Sequence, residues 1–349
     1  MKVTVDSKKG LKTNLKVFVD RKTIDEKIGI RLNELSKTVN LKGFRPGKVP
    51  VDVLKRQFGK AVYGEVLEKI LKETSTQALE EKKIKVAATQ MSCSWKLEEN
   101  LSKAKKIIEK AAVKGANIIL LQELFQTPYF CIQYDEKIFR LAQPFKNNKI
   151  IGEMSEIAKN LNVVLPISFF EKENNAYYNS IAVIDSDGKI LGKYRKSHIP
   201  DGPGYLEKYY FNPGDTGFKV WETKFGKIGI GICWDQWFPE VARIMAIKGA
   251  DILFYPTAIG DEPRSKYDSS NAWQRVMQGH AAANIVPVVA SNRIGFEKVQ
   301  EQTNGFYGKS FICDHTGKIL KEASKDKEEI ITAEINLEEN HLFRRNWGL

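Results

Sequence analysis

From residue 84 onward, short apolar runs alternate with helical patterns, and this alternation constrains the chain more than any other feature. Residues 85–90, 116–122, 163–170, 180–185, 188–195, 226–233, 251–256 and 286–291 predict strands. Residues 101–114, 149–161, 239–248 and 270–284 predict helices, with Ala104, Ile107, Ile108, Ala111 and Ala112 on one face of the first. Alternation of this kind predicts a layered α/β fold. The hairpin turn Ser186-Asp187-Gly188 adds antiparallel pairing, so the sheet should be mixed. The 265 residues after 84 suffice for two sheets with helices outside.

Composition narrows the class. Apolar residues make up 42%, enough for a sizeable core, and mean hydropathy is −0.36 with no run of 18 apolar residues. A membrane span is not expected. The first ten residues lack an apolar stretch, which predicts no secretory signal. The four cysteines (Cys93, Cys131, Cys233, Cys313) stand far apart, with no CxxC pair. That pattern fits a reducing, cytoplasmic setting rather than a disulfide framework. The four histidines form no metal-binding pair, so no metal site is expected.

Charge is uneven. Of the formal +12, residues 1–84 carry 20 Lys+Arg against 11 Asp+Glu, and the rest of the chain is nearly balanced. A basic module attached to a neutral body suits a polyanionic partner, although a Lys-rich solvated surface reads the same way. In that module Val3 and Val5, then Leu15, Val17 and Val19, alternate with polar residues and predict two strands. Thr23-Ile-Asp-Glu26 fits a capping box, and Ile24, Ile28, Leu32, Leu35 and Val39 form a helical stripe. Pro50 suits the first turn of the next helix, and residues 61–82 read as a longer one. Between them Gly43-Phe-Arg-Pro-Gly-Lys-Val-Pro50 makes a stiff loop offering Phe44 for stacking and Arg45 and Lys48 for phosphates.

Three strand ends in the body carry reactive side chains, and strand carboxyl ends are where α/β proteins place their chemistry. Glu123 ends Ile-Ile-Leu-Leu-Gln-Glu, where a carboxylate is costly unless it works or is paired, or else caps a helix. Lys196 lies in Gly-Lys-Tyr-Arg-Lys-Ser-His, and a charged strand end is also an ordinary solvated edge. Cys233 ends Ile-Gly-Ile-Gly-Ile-Cys-Trp-Asp, where small residues permit a tight elbow, although cysteine is more often an inert buried thiol. Taken together, the three form a plausible set. Cys233 attacks a carbonyl carbon, Glu123 serves as base and then acid, and Lys196 with the Trp234 N–H stabilises the oxyanion. The absence of Gly-x-Ser-x-Gly removes the obvious serine rival.

These residues carry two resemblances. Residues 84–349 resemble the nitrilase superfamily of carbon–nitrogen hydrolases through Leu-Leu-Gln-Glu123-Leu-Phe, Tyr-Arg-Lys196-Ser-His and Gly-Ile-Cys233-Trp-Asp-Gln-Trp-Phe-Pro-Glu240. The resemblance implies a four-layer α-β-β-α sandwich, no metal and no organic cofactor, and a second glutamate, Glu207, orienting the lysine. Residues 255–260, 273–281 and 284–295 are similar to the branch that acts on N-carbamoylputrescine. That implies a cationic ureide substrate, with Glu262 as ammonium partner and Tyr205 and Trp234 as an aromatic wall. Another carbamoylase, β-ureidopropionase-like, or an amidase stays open. Residues 1–83 resemble the ribosome-binding domain of trigger factor through the Gly-Phe-Arg-x-Gly-Lys-Val-Pro loop, which implies ribosome contact through Phe44, Arg45 and Lys48. The segment is expected to be an incomplete copy of that small α+β domain. A ribosome-tethered binding protein with an inactive hydrolase body is therefore a further alternative. The end at Trp-Gly-Leu349 is read as a truncated tail, and homo-oligomerisation is expected from the family.

Overall fold

In a computed structural model of the chain, residues 2–9, 12–39, 41–45, 47–80, 83–261 and 267–348 are described. The chain divides into two compact units, Met1–Lys82 and Lys83–Leu349.

The first unit is an antiparallel hairpin, Lys2–Lys9 with Lys12–Phe18, followed by helices Arg21–Thr38 and Val51–Glu80. The first helix starts earlier than the capping-box reading predicts. Asp20 is the cap, its carboxylate accepting from the Lys22 N–H at 3.1 Å, and Thr23 already donates to the Asp20 carbonyl at 3.0 Å. Pro50 stands just outside the second helix, whose first turn closes on its carbonyl through Val53 (3.1 Å) and Leu54 (3.3 Å). That helix is a single 30-residue rod and not one beginning at residue 61. The expected stripe does face the core: Leu32 is buried with Leu54, Val62, Val66 and Ile70, and Ile24, Ile28, Leu35 and Val39 pack against them.

Among the described residues the second unit has a six-stranded sheet and a second layer made of two three-stranded sheets, besides two short hairpins. The six-stranded sheet orders Val220–Thr223, Gly226–Ile230, Ile252–Pro256, Val288–Ser291, Phe311–Cys313 and Ile319–Glu322, its second and third pairs parallel and the rest antiparallel. The second layer joins two three-stranded pieces, Glu329–Asn336 with Lys83–Gln90 and Ile118–Leu120, and Leu165–Glu173 with Ala176–Ile184 and Ile190–Arg195. A parallel bridge between Ile118 and Val164 joins them. Between the sheets lie Val86, Ile118, Val164 and Ile181 from one, and Ile230, Phe254, Val289 and Ile312 from the other. Helices Leu97–Val113 and Lys149–Leu161 cover one outer face through Leu101, Ile108, Ile151 and Met154. Pro239–Ile247 and Ser270–Asn284 cover the other through Val241, Met245, Trp273 and Met277. The result is the expected α-β-β-α sandwich of the nitrilase superfamily. Gly229 and Gly231 let helix Pro239–Ile247 approach closely, because a Cβ on them would stand 2.8 Å from Met245 and 3.2 Å from Val241 respectively.

Candidate active site

Three strand ends of the second unit deliver the site. Glu123, Lys196 and Glu207 are wholly buried and form one hydrogen-bonded cluster. Lys196 Nζ lies between the carboxylates, donating to Glu123 Oε1 at 2.9 Å and to both oxygens of Glu207 at 2.8 and 2.7 Å. Burial opposes the lysine's charge, yet the two carboxylates outweigh it and hold its pKa well above the ordinary value. Two carboxylates around one ammonium leave a surplus negative charge in a dry interior. Burial therefore pushes Glu207 up to about 7 despite Lys196.

The remaining oxygens are not treated alike. Tyr129 Oη donates to Glu207 Oε1 at 2.6 Å, and Asn179 Nδ2 donates to Glu123 Oε1 at 2.6 Å. Glu123 Oε2 is buried with no hydrogen-bond partner among the described residues. One carboxylate is saturated, while the other keeps a lone pair available for a proton.

Cys233 sits at the turn out of Gly226–Ile230 with φ +44°, a conformation that L residues adopt only under constraint. Asp235 supplies the constraint. Its Oδ2 accepts from the Ile232 N–H (2.9 Å) and the Tyr194 hydroxyl (2.7 Å), and its Oδ1 from the His198 N–H (3.0 Å). The cysteine turn is thus tied to the strand that carries Lys196. From behind, Trp273 Nε1 donates to Gln236 Oε1 at 2.7 Å, and His280 Nε2 meets the Gln236 carbonyl at 2.8 Å. The thiol lies 3.8 Å from the Ala258 carbonyl. Burial first, then the charges of Glu123 and Glu207 against that of Lys196, hold its pKa well above the usual thiol value. A thiol whose pKa is held high needs a base before it can attack.

The other sequence candidates divide. Tyr205 stands beside the cluster, its ring 5.8 Å from that of Tyr129 and its hydroxyl accepting from the Gly260 N–H at 2.9 Å. Trp234 is 37% exposed and meets Trp237 edge to face at 6.0 Å. Glu262 lies outside the described residues. In the first unit Phe44, Arg45 and Lys48 are exposed on a loop closed by Phe44 N–H to Leu41 O and Lys48 N–H to Arg45 O, each 3.0 Å. Gly43 and Gly47 there have φ +99° and +77°, which only glycine adopts readily. Sequence reasoning missed Tyr129, Asn179 and Asp235. The one local signal was Asn179-Ser180, a polar pair in the middle of strand Ala176–Ile184, just before its buried apolar half.

Residues 85–345 match the family model for carbon–nitrogen hydrolase. Residues 1–126 match that for bacterial trigger factor protein. That match runs past Lys82, but the strand beginning at Lys83 pairs along its whole length with Glu329–Asn336, so physically it belongs to the second unit. N-carbamoylputrescine amidase of Oryza sativa is 55% identical over 272 residues, covering 76% of this chain and 90% of that one. Citrullinase of Francisella tularensis is 54% identical over 267 residues, covering 76% and 93%. A carbon–nitrogen hydrolase crystal structure from Helicobacter pylori superposes with a TM-score of 0.72 at 40% identity, covering 76% and 94%. With the family model spanning most of its length and these relatives so similar, the chain belongs to the carbon–nitrogen hydrolases of the nitrilase superfamily.

Proposed function

We propose that the chain hydrolyses the ureido C–N bond of N-carbamoylputrescine to putrescine, ammonia and carbon dioxide. One observation carries the chemistry: a buried thiol on a constrained elbow lies within the electrostatic reach of a buried carboxylate that keeps one oxygen without a partner among the described residues. The substrate is read from the 55% identity to the rice amidase. Cys233 Sγ adds to the ureido carbonyl and passes its proton to Glu123 Oε2. Lys196 and the Trp234 N–H stabilise the oxyanion. Collapse expels ammonia or the diamine, which takes the proton from Glu123, and leaves a carbamoyl thioester on Cys233. Water gives a proton to Glu123 and attacks the thioester carbon; the C–S bond breaks, Cys233 Sγ takes that proton back, and the carbamic acid released decays to carbon dioxide and the remaining amine. Glu207 keeps Lys196 charged and in place. Glu262 pairs with the substrate ammonium, and Trp234 and Tyr205 flank its methylene chain.

The citrullinase relative favours a second reading, because citrulline carries the same ureido head on an amino-acid tail. Ammonia release from N-carbamoylputrescine, L-citrulline and N-carbamoyl-β-alanine, with Cys233→Ala as control, decides between them. Preference for N-carbamoylputrescine, lost in the variant, supports the proposal. Preference for L-citrulline keeps the mechanism and moves the substrate. Preference for the acidic ureide overturns the role of Glu262. Glu262→Gln should raise KM for the cationic substrate, and an unchanged KM removes that assignment.

For the first unit the same reading has Phe44, Arg45 and Lys48 contacting the ribosome. Their exposure and the trigger-factor match support it. Ribosome co-sedimentation reduced by Phe44→Ala with Arg45→Ala is the expected result, and unchanged co-sedimentation removes it. Thiol-dependent turnover would discard the reading of the body as an inactive remnant.

A further inference from the structure

Arg293 is fully buried at the end of strand Val288–Ser291, 170 residues from Glu123 in sequence. Its Nη2 donates to two successive carbonyls, Glu123 O at 2.7 Å and Leu124 O at 3.1 Å. Both can converge on one nitrogen because Leu124 has φ +46°, a left-handed conformation that a leucine does not adopt unaided. Arg293 Nη1 donates to Glu297 Oε1 and Oε2 at 2.8 and 2.7 Å and to the Thr127 carbonyl at 3.3 Å. Glu297, itself buried, accepts the Tyr129 N–H on Oε2 at 2.5 Å. The Arg293–Glu297 pair therefore grips the turn 123–129 at both ends. One end carries Glu123, whose Oε2 is the unpartnered oxygen. The other carries Tyr129, which holds Glu207 and, through it, Lys196.

A buried ion pair rarely adds much stability over an apolar replacement, so its presence here asks for another reason. We infer that Arg293 and Glu297 form a positioning clasp, which forces the turn after Glu123 into its strained shape and so aims the free carboxylate oxygen at the Cys233 thiol. Only a planar fork supplies donors to three carbonyls and a carboxylate at once, and an ammonium cannot reproduce that geometry. The inference rests on Glu123 and Cys233 being the reacting pair.

The test compares steady-state ammonia release by the full chain, its Arg293→Lys and Arg293→Gln/Glu297→Gln variants, and Cys233→Ala, with thermal melts of each. The double variant removes both buried charges together, which leaves no unpaired ion to unfold the protein. Misaimed by about an ångström, the base should cost on the order of 100-fold in kcat. KM should stay within about threefold, because both clasp side chains are spent on protein groups and the loss falls on the transition state. Arg293→Lys, which keeps the charge but not the fork, should fall between. A folded double variant with wild-type kcat overturns the clasp. If the double variant does not fold, wild-type kcat in Arg293→Lys overturns it equally. An equal rise in KM and loss of kcat with a lowered melting temperature assigns the pair a structural role only. Turnover that survives Cys233→Ala defeats the thiol reading itself, whatever the clasp variants do.

Discussion

The two units handle charge in opposite ways. In the first, Arg45 and Lys48 stand in solvent, and Arg31 bridges Glu34 and Glu65 with all three side chains more than a third exposed. Such pairs contribute little to stability and mainly set the field outside the molecule. In the second, Glu123, Lys196 and Glu207 are wholly buried, and so is Arg293 beside Glu297. Desolvation makes each of these charges costly, so each has a partner. Exposed charge advertises an encounter surface, while buried charge marks where chemistry is prepared.

The largest expected break in this contrast is chemical. Cys233→Ala should reduce ammonia release at least about 10⁴-fold, as removal of a nucleophile does elsewhere, while leaving the melting temperature of the first unit untouched. The converse change is Leu54→Ala in the first unit, where Leu54 is fully buried. It should destabilise that unit by about 2–5 kcal/mol in denaturant unfolding and leave kcat unchanged. A fall in kcat would mean that the two units do not work independently.

The third prediction concerns pH. The Glu207 carboxyl is raised by burial from 4.5 to about 7. The folded state therefore binds its proton more tightly than the unfolded chain does, and this contribution is present in full below pH 4.5 and lost by pH 7. Against Glu207→Gln, wild type should lose about 3 kcal/mol of unfolding free energy between pH 4.5 and 7.5. A constant difference would show that Lys196 offsets the burial completely. The smallest effect belongs to the exposed loop. Phe44→Ala, Arg45→Ala and Lys48→Ala should each change stability by less than about 0.5 kcal/mol and leave turnover unchanged. Ribosome co-sedimentation, where it occurs, should weaken as salt rises.

How much of this was legible in the sequence follows from how local each feature is. Glu123 and Cys233 follow apolar strands and Lys196 a mixed one, and strand ends can be read from a dozen residues of pattern. The same alternation implied a layered α/β fold, and the length left room for two sheets, while the α-β-β-α sandwich came from the family resemblance. Glu207 needed the family resemblance, because a four-residue helix, Glu207–Tyr210, leaves no periodicity to read. Asn179, Tyr129, Asp235 and Arg293 were not found, since their partners lie 56, 78, 41 and 170 residues away along the chain. Only folding brings those groups together. The start of the first helix was misplaced for a smaller reason. Asp20 and Thr23 are both good caps three residues apart, and the choice falls to Asp20 once Thr23 donates into the first turn.

The central claim is that Cys233 forms a covalent bond to the ureide carbon with Glu123 as its proton acceptor. The most direct measurement is rapid acid quench of the enzyme with N-carbamoylputrescine, followed by peptide mass spectrometry. A carbamoyl adduct on the Cys233 peptide, formed quickly by wild type and much more slowly by Glu123→Gln, is the predicted result. Steady turnover with no adduct at Cys233, or with one on another residue, would contradict the account.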